Sequence, residues 1–478
     1  MEKKDDFIEE KEITFIQPRH NYAWKEWEWH IYLSSPLLSV KSRLLKALWG
    51  NTNITYIDAN FEEPDYNKLK WIVWINLVWA PYVPVVLDLI EQIPKEVHII
   101  LWGQIISSFT DEEFKRLFNK DRDNVINWNN TDNLEQIFGL EKNSIPDVEE
   151  INLIDSYEEI SDEHMKKYLD REFSLYLSQW CKYNCWFCQA AKKKPEKYRN
   201  LPLLKEELIY LWKRAEKLGI NKLEFYVSNL DILQTPKVFE QFLDIILEIK
   251  EEIWIDISFR WLCWVESFLD VYYNNKDILI KAKKSGLSSI WFWIDWATPE
   301  IWKSIWKWQN FKNLSKYENF EAQEKSIEVI KLTSELWITP EALMVFWHPW
   351  ETNESLELAH NFCEDMFEQY GAIPRPHISK TILPWAEAWT KKENKSIVDK
   401  FIENPEFFQA LDYTALHSEL THPDIKLRKL SRKWYKKICD LSPEYATKYI
   451  IPNTPEYRKI AKRLRTTVKK MNEWKFDR

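Results

Sequence analysis

Three cysteines stand close together in this 478-residue chain, at Cys181, Cys185 and Cys188. Their C-x3-C-x2-C spacing directly follows an apolar run at 173–177 that predicts a β-strand. A loop this tight can direct three thiolates at one point. Cysteine thiolates, normally four, hold cubane iron–sulfur clusters, so three of them leave one iron open to another molecule. The spacing therefore predicts a [4Fe–4S] cluster with one free coordination position.

The alternatives for these cysteines are three buried thiols or a zinc site. Zinc sites usually combine two short paired elements of cysteine or histidine. The remaining cysteines, Cys263, Cys363 and Cys439, are scattered singly, so no second pair exists. The spacing favours the cluster.

The bulk composition narrows the class of protein. A chain of this length predicts two or three domains, and the formal net charge of -9 gives no overall case for nucleic acid. Residues 1–13 lack the apolar core of a signal peptide, and no apolar run is long enough to span a bilayer. A clustered cysteine triad fits a reducing compartment. We expect a soluble, cytoplasmic protein.

Tryptophan and glycine occur in unusual numbers, 28 and six respectively, whereas proteins ordinarily contain about 7% glycine. Several tryptophans stand where a turn needs glycine's access to positive φ, such as Trp102 at a strand end and Trp347 and Trp350 in a turn. We hypothesise that the gene belongs to a lineage that reads UGA as glycine and was translated with UGA as tryptophan. The alternative is a truly tryptophan-rich protein, which UGG codons at 180, 186, 347 and 350 would establish.

Residues 28–140 show a repeating pattern of strands and helices after a polar lead-in at 1–27. Strands are predicted at 30–33, 54–58, 71–78, 97–101 and around 125–126, and helices at 40–47, 82–93, 111–118 and 132–138. Short apolar strands that alternate with helices predict a parallel, doubly wound α/β sheet. Ligands bind at the carboxyl ends of such strands, where the predicted binding residues are Ser34, Asp58, Asn76 and Gly103.

A second series of strands and helices is predicted at 171–384, after an acidic linker at 141–170. Strands are predicted at 173–179, 222–228, 254–260, 289–295, 341–347 and 374–380, and helices at 204–218, 236–250, 276–285, 313–336 and 353–368. Six strand–helix units are typical of a partial (β/α)6 barrel, whose catalytic groups gather at the carboxyl ends of the strands.

The cysteine motif resembles that of the radical S-adenosylmethionine (SAM) superfamily, which also has an aromatic residue before the third cysteine, here Phe187. The resemblance implies that the amino and carboxylate groups of SAM bind the open iron. The reduced cluster then passes an electron into the sulfonium and releases a 5′-deoxyadenosyl radical. Phe187 is expected beside the adenine.

Three strand ends resemble SAM-binding elements of the same superfamily. Ser228 and Asn229 follow the second barrel strand, where the family contacts the amino group of SAM. Arg260 ends the third predicted strand, and Asp295 lies in an element that becomes "GIDGATPE" when glycine replaces tryptophan. The resemblance implies that these residues orient SAM. An ordinary ion pair between Asp295 and Arg260 at the barrel rim, or a helix cap by Asn229, stays open as the alternative.

Two regions resemble the cobalamin-binding branch of the superfamily. Residues 346–355 become "FGHPGETNES" with glycine restored, and 28–140 resemble the branch's cobalamin-binding domain, with no D-x-H-x-x-G motif to supply a histidine ligand to cobalt. The resemblance implies cobalamin-dependent methyl transfer or radical rearrangement. Alternatives are a front domain without cofactor and, from another class, a non-catalytic iron–sulfur or RNA-binding protein. The lack of a cysteine before Cys181 argues against a methylthiotransferase.

The C-terminal region, 385–478, is predicted to be helical and basic. Residues 424–478 contain 17 Lys and Arg against six Asp and Glu. Such a run can bind RNA phosphates, but a solvated helix face is the favoured interpretation. The resemblance also implies a flavodoxin or ferredoxin as electron donor. The substrate cannot be named from the sequence.

Overall fold

The computed structural model describes two consecutive parallel sheets. The described residues are 11–19, 33–48, 52–78, 80–103, 105–120, 122–128, 138–179, 196–252, 256–295, 321–346, 351–378 and 395–411, with single residues at 135, 389, 392, 426, 430, 433, 434, 437 and 441. No helix in these ranges has the length and apolar character needed to cross a membrane.

The front sheet has five parallel strands in the order β2-β1-β3-β4-β5. The strands are β1 Lys11–Gln17, β2 Thr52–Asp58, β3 Ile72–Asn76, β4 His98–Trp102 and β5 Val125–Trp128, with helices α1 Ser35–Ala47, α2 Val83–Gln92 and α3 Asp111–Phe118. Every residue of β3 is buried, as expected for a strand covered on both faces. The predicted doubly wound α/β sheet is confirmed. Strand order reverses direction between β1 and β3.

The first strand is not where the sequence predicts it. β1 lies inside the predicted lead-in, and Leu33, the one described residue of the predicted strand at 30–33, is not in a strand. Ile13 and Phe15 pack in the core on one face of the sheet, and Ile16 packs in the core on the other. Because successive residues of a strand face opposite sides, these apolar residues serve two cores. The prediction of a loose lead-in is therefore wrong for residues 11–17.

The segment predicted as a linker contains helices α4 Ile154–Glu158 and α5 Asp162–Leu169. Its apolar residues, including Leu153, Tyr157 and Met165, are buried in the barrel core. The opposite side of this segment contacts α1, where buried Lys41 pairs with Glu159 at 2.6 Å. The segment thus joins the two sheets through packed side chains.

The second sheet has six parallel strands that are adjacent in chain order, as the predicted partial barrel requires. These are β6 Glu172–Tyr176, β9 Lys222–Ser228, β10 Asp256–Cys263, β11 Leu287–Asp295, β12 Thr339–Phe346 and β13 Ile373–Ile378. A short antiparallel pair, β7 Ser178–Gln179 and β8 Lys197–Tyr198, follows β6. The predicted barrel strands are confirmed, with differences of a few residues at their ends.

Long helices cover the outer face of the second sheet. They are α6 Leu201–Lys217, α7 Pro236–Glu252, α8 Val265–Asn274, α9 Lys276–Ser285, α10 Glu321–Glu335 and α11 Asn353–Tyr370. Ile257, Phe259 and Trp261 of β10 belong to the core beneath these helices. Because side chains alternate along a strand, Ser258 and Arg260 lie on the opposite, inner face.

The chain returns to the front sheet after the barrel. Helix α12, Lys395–Glu403, and the turn Pro405–Leu411 follow β13. Phe401, Phe407 and Phe408 are buried in the same core as the helices of the front sheet. Arg116 of α3 pairs with Asp399 at 2.5 Å. Part of the region predicted as a basic C-terminal extension therefore completes the front domain.

Trp337 occupies a helix-end position of the kind that usually holds glycine. Its φ is +59° and its side chain is 85% exposed. Gly219 stands at the same position after α6, with φ +75°, and both sites lie between Leu and Ile. Left-handed backbone is costly for residues with a Cβ atom, and an exposed indole gains no core packing. This position supports the recoding hypothesis.

Candidate functional site

Cys181, Cys185, Cys188 and Phe187 lie outside the described residues, so their roles stay predictions. We call residues 180–195 the cysteine segment. The chain enters it from β7 and leaves it into β8, and these strands pair with Ser178 opposite Tyr198. The two ends of the cysteine segment are therefore neighbours.

A hydrogen-bonded network joins both ends of the cysteine segment to the carboxyl end of β9. Ser178 Oγ donates to Glu196 Oε1 at 2.6 Å. Asn229 Nδ2 donates to Ser178 Oγ and to the same Glu196 Oε1, each at 2.6 Å. Tyr198 donates its hydroxyl to the second Glu196 oxygen. Burial raises the pKa of Glu196 above its ordinary value, and the hydrogen bonds offset part of this rise. We call these four residues the neck network.

Asn229 also organises the turn after β9. Its Oδ1 accepts a hydrogen bond from the backbone N–H of Asp231 at 2.7 Å. Asp231 is fully buried and accepts from Ser267 Oγ at 2.7 Å and from the N–H of Trp264 at 3.2 Å. Ser228, the last residue of β9, precedes this turn. The residues predicted to contact the amino group of SAM thus stand at a hydrogen-bonded strand end.

Arg260 lies on the inner face of β10, three residues before the strand ends. Its guanidinium donates to both carboxylate oxygens of Glu172 on β6. The guanidinium carbon lies 3.8 Å from the ring centre of Trp291 and 4.5 Å from that of Tyr226. The partner of Arg260 in this ion pair is Glu172, which the sequence did not single out, and a role towards SAM stays a prediction.

Asp295 ends β11 in an unusual backbone conformation. Its φ is +65°, and the pairing of β11 with β12 shifts register between Trp293 and Asp295. The indole N–H of Trp293 donates to the carbonyl of Leu230 at 2.9 Å, which links the ends of β11 and β9. Strained residues cluster at functional sites, so this geometry agrees with the predicted role of Asp295 without testing it.

Uncharged polar groups meet at the carboxyl ends of β1 and β3. The N–H of Ser34 donates to Gln17 Oε1 at 3.0 Å, and Asn76 Nδ2 donates to Ser34 Oγ at 2.8 Å. Asn76 is 3% exposed, and its Oδ1 has no hydrogen-bond partner among the described residues. This edge is the switch point of the front sheet, where ligands of doubly wound folds bind.

Gly103 allows the end of β4 to approach the end of β3. Its φ is +129°, and an added Cβ would lie 2.4 Å from the carbonyl oxygen of Leu77 and 3.1 Å from Asn76 Oδ1. A Cβ at 2.4 Å from backbone does not fit without displacement. Gly103 therefore has a structural role beside the predicted one in binding.

Asp58 lies beside this polar edge, but it faces the barrel. Its Oδ1 accepts from the N–H and the side-chain amide of Asn60 at 2.9 and 2.7 Å, and its Oδ2 accepts from the hydroxyl of Tyr168 on α5. Burial raises the pKa of Asp58. A cavity of about 210 Å³, also lined by Tyr56 and His164, adjoins the carboxyl group. The described protein donors thus occupy the carboxyl group that was predicted to bind a cofactor.

Comparisons with known proteins rest on structure. No family model and no curated protein sequence matches the chain. The cobalamin-dependent SAM radical enzyme OxsB with aqua-cobalamin and SAM bound matches over 98% of this chain and 72% of its own, with 13% identity and a TM-score of 0.58. The radical SAM methyltransferase TsrM from Kitasatospora setae, with tryptophan substrate and a SAM analogue bound, matches over 79% of this chain and 75% of its own, with 13% identity and a TM-score of 0.52.

The chain has the fold of cobalamin-dependent radical SAM enzymes. In a second OxsB structure, with aqua-cobalamin bound, the match covers 84% of this chain, at 14% identity and a TM-score of 0.56. The chain spans 56% of the length of that OxsB chain. At these identities the likeness shows the fold alone.

Sequence reasoning missed three residues at these edges. Glu196 stands eight residues after Cys188 in a lysine-rich stretch, and Tyr168 lies in a segment predicted as a linker. Gln17 ends the strand that was not predicted. Glu196 and Tyr168 act through partners distant in the sequence, which spacing does not reveal. For Gln17 the alternation of Ile13, Phe15 and Gln17 on one face was an available signal.

Proposed function

We propose that this chain is a radical SAM enzyme that cleaves SAM reductively at a [4Fe–4S] cluster held by Cys181, Cys185 and Cys188. One observation carries the proposal: the cysteine segment follows the first strand of a six-stranded parallel barrel sheet, with only the short strand β7 between them. That barrel stands behind a doubly wound sheet, in a fold shared with OxsB and TsrM.

The described residues fit a cluster and SAM at the carboxyl edge of the barrel. Cys181 follows Ser178 by three residues, and three residues span at most about 11 Å. A cluster held by the three cysteines would supply the electron for reductive cleavage of SAM to methionine and a 5′-deoxyadenosyl radical. The chain supplies carboxylates at this edge, from Glu196 and Asp295, and these favour the ammonium and sulfonium charges of SAM.

We also propose that cobalamin binds at the carboxyl edge of the front sheet. Gln17, Ser34 and Asn76 present amide and hydroxyl groups there, and the buried Oδ1 of Asn76 is available to accept a hydrogen bond. Such groups complement the amide side chains of a corrin ring. Bound cobalamin supplies a methyl carrier or a route to radical rearrangement, while the protein positions it and excludes water.

The electron donor in this proposal is a reduced flavodoxin or ferredoxin, and the substrate is left open. Two alternatives differ in what they predict. An enzyme with a cobalamin-free front domain cleaves SAM and retains no corrinoid. A non-catalytic RNA-binding protein makes no 5′-deoxyadenosine and binds RNA with a steep salt dependence.

The test uses the full-length chain, produced with hydroxocobalamin and purified without oxygen. Absorption spectroscopy measures retained corrinoid, electron paramagnetic resonance detects the reduced cluster, and mass spectrometry measures 5′-deoxyadenosine after addition of SAM and dithionite. We expect all three signals. A cluster and 5′-deoxyadenosine without corrinoid would leave the radical SAM activity and remove cobalamin. No 5′-deoxyadenosine from a cluster-loaded chain would overturn the proposal.

A further inference from the structure

The neck network gives Glu196 a role beyond folding. We propose that Glu196 is a positioning residue that fixes the cysteine segment against the SAM-facing end of β9. The inference rests on the proposed function, because it assigns a task within SAM binding. Glu196 is not one of the predicted cluster ligands, and it belongs to none of the motifs that the sequence identifies.

Three structural elements converge on the Glu196 carboxylate. Ser178 comes from β7, before the cysteine segment, and Tyr198 comes from β8, after it. Asn229 comes from the end of β9 and contacts both Ser178 and Glu196. The sixteen residues of the cysteine segment therefore leave and rejoin the barrel at one point. Next to it, Arg199 N–H donates to the carbonyl of Leu177 at 3.0 Å, which closes the same neck through the backbone.

The network suits a carboxylate at position 196 better than an amide. Ser178 Oγ, Tyr198 OH and Asn229 Nδ2 all donate, and an ionised carboxylate is a pure acceptor with two oxygens. A glutamine of the same shape has only one oxygen and no charge, so a hydroxyl of the network must turn to accept from its NH₂ group and gives up its bond to a charged acceptor. Hydrogen bonds to a charged acceptor are also about twice as strong as neutral ones.

Asn229 couples the neck to the site of catalysis. The same residue holds Glu196 through Nδ2 and shapes the turn at Asp231 through Oδ1. A shift of the neck therefore moves the cysteine segment relative to the strand end that faces SAM. Because a misplacement of about 1 Å can cost about 100-fold in rate, a small shift of the neck is sufficient to impair SAM cleavage.

The test compares Glu196→Gln with wild type and with the control Glu216→Gln, an exposed residue of α6. Each full-length chain is loaded with iron and sulfide without oxygen. The measurements are iron content, the change of the reduced-cluster resonance on addition of SAM, and the SAM dependence of 5′-deoxyadenosine formation. For Glu196→Gln we expect unchanged iron content and at least a tenfold rise in the KM for SAM, in line with a lost positioning contact. Glu216→Gln should match wild type.

A second variant separates positioning from general damage. Ser178→Ala removes one donor to Glu196, so it should raise the KM for SAM by a smaller factor. The double variant, with Glu196→Gln and Ser178→Ala together, should have a KM for SAM no higher than that of Glu196→Gln alone, because both changes break the same network. Independent, multiplying effects would overturn the inference, and so would a Glu196→Gln chain that binds and cleaves SAM like wild type. If Glu196→Gln does not fold, a wild-type KM for Ser178→Ala and Tyr198→Phe overturns the inference, and raised KM values for both support it.

The two levels of proposal fail in different ways. A wild-type chain that holds iron and makes no 5′-deoxyadenosine contradicts the proposed function. An active wild type with an equally active Glu196→Gln chain contradicts the role of Glu196 alone.

Discussion

The two parallel sheets present different chemistry at equivalent edges. At the carboxyl ends of β1 and β3, the residues Gln17, Ser34 and Asn76 are uncharged and bond to one another. At the carboxyl ends of the barrel strands, Glu196, Asp231 and Asp295 carry carboxylates. Both edges are partly or fully buried.

This difference indicates what each edge is suited to bind. Hydrogen bonds from uncharged groups to Glu196 and Asp231 leave their negative charge in place, so the barrel edge favours a cationic ligand such as SAM. An edge of amides and hydroxyls suits a large ligand that brings its own amides. The comparison therefore predicts that each edge can be damaged without loss of the other's ligand.

The largest expected effect comes from the cysteine segment. Cys181→Ala removes one of three predicted ligands, so we expect loss of the cluster resonance and of 5′-deoxyadenosine formation, with corrinoid retained. The control is Cys363→Ala in α11: burial raises the pKa of the Cys363 thiol, which therefore stays protonated and is a poor metal ligand. A normal cluster in Cys181→Ala would contradict the assignment.

The next effect tests the front edge. Gly103→Val combines a left-handed backbone with a Cβ beside the carbonyl of Leu77, so we expect the free energy of unfolding to fall by about 3 kcal/mol. Corrinoid retention should fall with it, because Asn76 lies in the same contact. Denaturant melts and corrinoid absorption measure the two losses. If SAM cleavage at the cluster fell by the same factor as corrinoid retention, the two edges would not be independent.

Asp58 adds a pH dependence to the contact between the domains. Burial raises the pKa of Asp58, so the folded chain binds this proton more tightly than the unfolded chain. The free energy of unfolding therefore falls as pH rises above about 4, the ordinary aspartate range. Asp58→Asn should remove this contribution, which thermal melts from pH 4 to 8 can measure as a shallower decline. The exposed control Asp88→Asn should keep the wild-type slope.

The smallest effect tests the hypothesis that some tryptophans of this sequence are glycines in the natural protein. Trp337→Gly relieves a left-handed position with an exposed indole, so we expect about 1 kcal/mol of added stability. Trp212, buried in α6, is the contrast: glycine there should cost about 3–5 kcal/mol. Stabilisation at 337 by glycine, with a UGA codon there, would support recoding. A UGG codon at 337 would contradict it for this position.

Regular features of the fold were predictable from the sequence because they repeat locally. The barrel strands are apolar runs between helices, so β9 to β13 were placed within a few residues. β1 was missed because it follows a charged stretch and begins with Lys11 and Glu12, although its Ile13, Phe15 and Ile16 fill cores on both faces. The return of α12 was missed because no local pattern specifies which distant surface an amphipathic helix covers.

The candidate sites show the same division. Spacing alone identified the cysteines, since their chemistry depends on proximity in the chain. Glu196 and Tyr168 depend on partners that only folding brings close: Asn229 is 33 residues from Glu196, and Asp58 is 110 residues from Tyr168. Such pairs leave no trace in one sequence. The strained backbone of Asp295 is likewise visible only in three dimensions.

The return of the chain to its first sheet has a consequence for biosynthesis. Phe401, Phe407 and Phe408 complete a core that begins with β1, and the Arg116–Asp399 contact spans 283 residues. Because a ribosome delivers the chain from its N-terminal side, the front sheet emerges before the barrel but cannot complete its core until residues 401–408 have followed the barrel. The barrel, whose strands pair in order of appearance, can form in the meantime. Of these two domains, the one translated first is thus the one that completes its core last.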